Sequence, residues 1–140
     1  MEELRLPIRF TGFLNQSEIV PAYIAADVLV MPSDARETWG LVVNEAMSCG
    51  RPCLVSDRVG CGPDLVFAGE TGFVFPLGDV QALASRMADC ASRPELVVAM
   101  GEKARALAGR QSVSAAVERL LEALSRVTHS VGQASACSGL

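Results

Sequence analysis

The chain has 140 residues, half of them hydrophobic, with twelve Lys and Arg against sixteen Asp and Glu for a formal charge of −4. This composition excludes wholesale disorder and leaves no general electrostatic pull toward nucleic acid or an anionic membrane. One domain is expected at this length, which excludes a catalytic cleft between two domains unless another chain supplies the second wall.

Pro7 to Phe13 reads as a short strand, ended near Gly12 and the Asn15-Gln16-Ser17 cluster. Ser17 and Glu18 open a helix carrying Ile19, Val20, Tyr23 and Ile24. Val28 to Met31 is a continuous apolar run stopped by Pro32-Ser33-Asp34, the pattern of a strand buried on both faces. Leu41 to Cys49 is helical in composition and closed by Gly50 and Pro52, and Cys53-Leu54-Val55 follows as another short buried strand. A Gly-rich turn, Gly60 to Pro63, leads to a short helix from Asp64 to Ala68, and Thr71 to Phe75 predicts a fourth strand.

The final third changes to helical periodicity. Val80, Leu83, Met87 and Ala91 share one stripe, Leu96, Met100, Ala104 and Leu107 a second, and Val117, Leu120, Leu121 and Leu124 a third. Residues 127–140 are small, polar and Gly/Ser-rich and predict a disordered tail behind a domain over residues 1–126. Alternation of short buried strands with helices argues an α/β fold, an open parallel sheet of about four strands with helices on both faces.

Five cysteines are an odd number, scattered among apolar neighbours, and the acidic start Met1-Glu2-Glu3 is followed by no apolar run. Together they predict a reduced, cytoplasmic protein with no integral membrane segment. Cys49-x3-Cys53 has the spacing of a metal half-site, but no second pair accompanies it and the single histidine, His129, falls in the polar tail. No metal site is expected; these cysteines read as small buried hydrophobes.

Ligands of open parallel sheets bind beyond the carboxyl ends of the strands, which points to the loops Phe13–Gln16, Pro32–Trp39 and Ser56–Pro63. The middle loop runs through Glu37-Thr38-Trp39 into a helix starting near Gly40, so the Gly40 and Leu41 amides are candidate phosphate donors. Glu37 and Glu45 flank that helix start. Two carboxylates there would repel a diphosphate if they faced it, but each could accept hydrogen bonds from a sugar diol. A solvated loop charge and a helix-surface residue meet the same spacing.

The stretch PSDARETWGLVVNEAMSCGRPCLVSD resembles the signature of retaining glycosyltransferases of the GT-B fold, family four in particular. The matching pattern is Glu37-x7-Glu45 with Trp39-Gly40-Leu41, Glu45-Ala46-Met47 and Gly50-Arg51-Pro52. The flanks Phe10-Thr11-Gly12-Phe13, Tyr23-x-Ala25-Ala26-Asp27, Gly60-Cys61-Gly62-Pro63-Asp64 and Glu70-Thr71-Gly72-Phe73 resemble it too. The resemblance implies a Rossmann-like half of a GT-B fold that takes a nucleotide-diphosphate sugar as donor, without a metal or other cofactor. It implies that Glu37 meets the donor sugar, as the catalytic-site residue, and Glu45 the ribose. The Gly40 and Leu41 amides would meet the diphosphate or sugar, and the backbone near Leu14 the base.

The family pattern also has earlier strands with a Gly-rich loop and basic residues, and an acceptor domain, none of which has a counterpart in these residues. Arg36, Arg51 and Arg58 lie in the loops but do not match the basic positions. The reading is therefore the donor-binding part of a retaining glycosyltransferase, inactive alone: either a fragment of such an enzyme or one chain of it, with a separate acceptor-domain chain as partner. The alternatives are a non-catalytic nucleotide-sugar binding or interaction module, and an unrelated nucleotide-binding α/β domain. An apolar sheet short of two strands further predicts a homodimer across the truncated side.

Overall fold

The computed structural model describes residues 7–34 and 36–137. Helix α1 (Gln16–Ala25) begins at a reciprocal cap. The Asn15 side chain accepts from the Ser17 and Glu18 N–H groups, and the Glu18 carboxylate accepts the Asn15 N–H at 3.1 Å. The chain then enters β1 (Leu29–Met31), crosses through α2 (Leu41–Ser48) and returns in β2 (Cys53–Ser56). Helix α2 stops where the Gly50 and Arg51 N–H groups turn back onto the Met47 and Ala46 carbonyls. A short α3 (Gly62–Leu65) precedes β3 (Gly72–Phe75), and three helices complete the fold: α4 (Val80–Ser92), α5 (Pro94–Arg110) and α6 (Val113–Cys137).

Among the described residues the sheet has three parallel strands in the order β1-β2-β3. Leu29 pairs with Cys53 and Cys53 with Gly72, so the carboxyl ends of all three strands lie along one edge. Alternation sorts their side chains onto two cores. Leu29, Met31, Cys53 and Val55 pack with Tyr23 of α1, Val43, Ala46 and Met47 of α2, Leu65 of α3 and Ala104 and Ala108 of α5. Val28, Val30, Leu54, Phe73 and Phe75 pack on the other face against Leu83 and Cys90 of α4 and Leu96, Val97 and Met100 of α5. The α/β class, the parallel sheet and helices on both faces agree with the sequence reading.

Three expectations need correction. Residues 7–13 form no strand: they pair with no neighbour, and Phe10 and Phe13 are 93% and 92% exposed. A segment without a ladder partner leaves its backbone groups to water, so among the described residues the sheet has three strands rather than about four. Second, β1 is not buried on both faces. It is an edge strand, and Leu29 and Val30 keep part of their surface in contact with solvent. Third, α6 runs through Cys137, into the segment whose composition suggests a tail, while residues 138–140 lie outside the described residues. A repeating apolar stripe at Val113, Val117, Leu120, Leu124 and Val127 supports helix over its first four turns, although all five side chains are exposed.

Helices α2 and α5 meet where a Cβ on Gly101 would stand 2.3 Å from the Gly50 carbonyl oxygen. Gly101→Ala is therefore expected to cost about 1–3 kcal/mol through overpacking. Gly109→Ala, on the same helix with nothing within 4 Å of the new methyl group, should instead gain about 0.5–1 kcal/mol. Urea denaturation of both variants checks the contrast; equal midpoints would show that α2 and α5 part without cost.

Candidate functional site

The loop after β1 carries the chain from Pro32 to the start of α2 and is closed by several local bonds. Ser56 Oγ, at the end of β2, donates to the Ser33 carbonyl, tying the ends of the two strands together. Asp34 accepts from the Arg36 backbone N–H at 3.0 Å and pairs with the Arg36 guanidinium at 2.8 Å. That guanidinium holds the Asp34 carboxyl below its ordinary pKa. Pro32, Ser33, Asp34, Arg36 and Glu37 line a cleft of about 480 Å³ on this edge of the sheet.

At the end of the loop the backbone turns sharply. Gly40 has φ +95° and ψ +55°, a left-handed conformation that a side chain would strain, and a Cβ there would come within 2.9 Å of Val59 Cγ1. The turn aims the start of α2 at the loop. The Gly40 N–H donates to Glu37 Oε1 at 3.0 Å, a carboxylate held at the positive end of the helix. The Cys61 N–H donates to the Trp39 carbonyl at 2.8 Å, so the loops after β1 and β2 are joined.

Glu45 lies one helical turn beyond Leu41 on the exposed stripe of α2, and Leu41 is 68% exposed. Its Oε2 accepts a 3.0 Å hydrogen bond from the phenol of Tyr23 on α1. Burial, then this bond and the charge of Glu45, push the Tyr23 phenol up to about 12. Burial also raises the Cys53 thiol to about 12 and the Cys61 thiol to about 11. Both stay protonated, with Cys53 Sγ facing the Val43 carbonyl and Cys61 Sγ the Gly40 carbonyl. The expectation that the cysteines act as buried hydrophobes holds for Cys53, Cys61 and Cys90.

Of the residues expected from sequence, Glu37 and Gly40 are in direct contact, and Leu41 and Glu45 share a face of the helix that follows. Leu14 is half-buried in the segment just before α1, the helix that carries Tyr23. The loop arginines are placed less favourably. Arg36 is spent on Asp34, Arg58 lies 3.6 Å from Asp57, and Arg51 sits at the amino end of β2, where it donates to the Ile24 carbonyl. Arg51 is therefore at the opposite end of the strands from the site. The sequence places Tyr23 on the apolar stripe of α1 and in a flank of the family pattern but gives it no role in the site; the signal for one is that a buried tyrosine hydroxyl needs a partner.

The family model described as Glycosyl transferases group 1 matches residues 2–107. Sulfoquinovosyl transferase SQD2 of Arabidopsis thaliana is 42% identical over 103 residues, covering 71% of this chain and 20% of that protein. Among solved structures, sucrose-phosphate synthase from Thermosynechococcus elongatus superposes with a TM-score of 0.72 at 30% identity, covering 88% of this chain and 30% of that one. Anabaena HepE in complex with UDP gives a TM-score of 0.70 at 28% identity over 79% of this chain and 30% of its own. The chain thus spans about a fifth to a third of the length of the relatives it matches.

Tyr23 is the single tyrosine of the chain, so tyrosinate absorbance reads this group alone. Little tyrosinate should form at pH 10, where an ordinary phenol is about half ionised, and Glu45→Ala should lower the midpoint. Because the folded-state pKa lies above the unfolded one, the phenol's contribution to stability is intact below about pH 10 and is lost as the pH rises toward 12. A midpoint left unchanged by Glu45→Ala would show that Tyr23 and Glu45 do not meet in solution.

Proposed function

The chain belongs to the glycosyl transferases group 1 family, and from that premise we propose that it is the donor-binding part of a retaining glycosyltransferase. Its ligand is then a nucleotide-diphosphate sugar, held at the amino end of α2. The observation that carries the reading is the arrangement around Gly40. A left-handed glycine at the carboxyl edge of a parallel sheet starts a helix, with Glu37 on its amide and Glu45 on its exposed face. Similarity to HepE, solved with UDP and with UDP-glucose, favours a uridine nucleotide as the first ligand to test.

In this reading Glu45 accepts from the ribose hydroxyls and Glu37 from hydroxyls of the transferred sugar, while the Gly40 and Leu41 amides meet the diphosphate or sugar. The backbone near Leu14 meets the base. Glu37 now holds the Gly40 amide, so a ligand oxygen that takes the amide releases the carboxylate for a sugar hydroxyl.

Transfer needs more than these residues supply. A departing diphosphate requires positive groups aimed at it, and Arg36 and Arg58 each lie beside an aspartate. In this reading the remaining cations and the acceptor wall are supplied by other polypeptide, on the same chain as the donor part or on another. A second copy paired along the free edge of β1 is the partner we favour for the chain taken alone, and its buried reduced thiols favour a cytoplasmic location.

Glu45→Ala should weaken UDP binding by about tenfold or more in titration calorimetry, the scale of a lost hydrogen bond to a charged group, with the thermal midpoint little changed. Equal affinity would remove Glu45 from the ribose. The purified 140-residue chain should show no sugar transfer, and light scattering should give about twice its 14.8 kDa mass. Turnover by the chain alone would mean that its own arginines stabilise the leaving group; a clean monomer would leave the β1 edge for a different polypeptide.

A further inference from the structure

We propose that Tyr23 is a positioning residue for Glu45, fixing one carboxylate oxygen so that the other is presented to a vicinal diol of the bound nucleotide. The proposal rests on the reading of Glu45 given above and concerns how that residue attains selectivity.

Glu45 is exposed on α2, and a free glutamate there would move among several rotamers. Tyr23 is the opposite kind of group. It is 7% exposed, on a different helix, and its ring belongs to the same core cluster as Met31, Val43 and Met47. A buried ring leaves its hydroxyl few directions in which to point, and here it points at Glu45 Oε2, 3.0 Å away and 22 residues along the chain. The mobile carboxylate is thereby referenced to the rigid core through Oε2, and in this proposal Oε1 is the oxygen that meets the ligand. The phenol is a donor throughout the neutral range, as any phenol is, and burial and Glu45 extend that range upward. A bond that served stability alone would not require an exposed acceptor, since a hydroxyl at the margin of a core can use water instead. A pinned carboxylate facing a diol does have a consequence: an analogue without the hydroxyls leaves the acceptor unpaired and is rejected.

The test compares UDP with 2′,3′-dideoxy-UDP by titration calorimetry on the full chain. The intact chain should bind UDP about tenfold or more tightly than the dideoxy analogue. Tyr23→Phe should reduce that ratio severalfold by weakening UDP alone, and it should change nothing further in a Glu45→Ala background. A ratio in Tyr23→Phe equal to that of the intact chain overturns the proposal and leaves the role of Glu45 standing. No discrimination by the intact chain overturns the ribose reading, and this proposal with it. If Tyr23→Phe fails to fold, 3-fluorotyrosine provides a second measurement, because the single tyrosine gives a single fluorine resonance. That resonance should move on addition of UDP and stay in place with the dideoxy analogue; the same response to both would overturn the positioning role.

Discussion

Where β1 gives way to α2, the backbone passes through a left-handed Gly40 whose α-carbon faces Val59 of the next loop too closely for any side chain. The consequences spread in both directions. The Gly40 carbonyl accepts from the Val43 N–H and faces the buried Cys61 thiol, while its amide turns outward to Glu37. Because the Cys61 N–H is in turn bonded to the Trp39 carbonyl, the loops after β1 and β2 cannot separate without breaking the start of α2. The amino end of the helix is thus fixed by two strands at once, and a fixed helix end is what makes backbone amides usable for recognition.

The two sides of the sheet are finished differently. On the α2 side, Val43, Ala46, Met47, Cys53 and Val55 are completely buried, and α5 closes over them with Ala104 and Ala108. On the other side α4 and α5 cover β2 and β3 but leave a groove of about 700 Å³ whose walls include Val28, Val30, Leu54, Met87 and Val97. The groove lies along β1, whose outer edge has no partner strand among the described residues. The candidate site lies at the carboxyl edge of the closed side, and the unpaired strand edge borders the open side.

Much of this was legible in the sequence because it depends on local signals. Val28 to Met31 before Pro32, and Cys53 to Val55 after Pro52, announce strands by composition and punctuation, and both form. Glu37, Gly40 and Glu45 could be placed around a helix start because the spacing settles where each falls on α2. What could not be read depends on partners distant in sequence. Pro7 to Phe13 has the residues of a strand, yet strand formation is decided by an available neighbour, and none pairs with it. Tyr23 looked like one more apolar position on α1, because nothing in its own helix shows that its hydroxyl lies within reach of α2. Arg51 was grouped with the loop arginines because its motif surrounds the site, whereas the direction of α2 carries it to the far end of β2.

The charge arrangement around the start of α2 bears differently on binding and on group transfer. The start of α2 provides partial positive charge of about half a unit, enough to favour an anion but little against a full diphosphate. The neighbouring full charges do not add to it. Glu37 sits on the Gly40 amide, Arg36 pairs with Asp34, and Arg58 lies beside Asp57, so each local cation is offset by a carboxylate one or two residues away. A site balanced in this way can hold a polyhydroxylated ligand by hydrogen bonds, because acceptors and amides are paired in the free protein and exchange partners at small net cost. Stabilising the charge that develops as a glycosidic bond breaks is a different requirement. It needs uncompensated donors fixed at the leaving oxygen, a condition that Arg36 and Arg58, each beside an aspartate, do not meet as they stand.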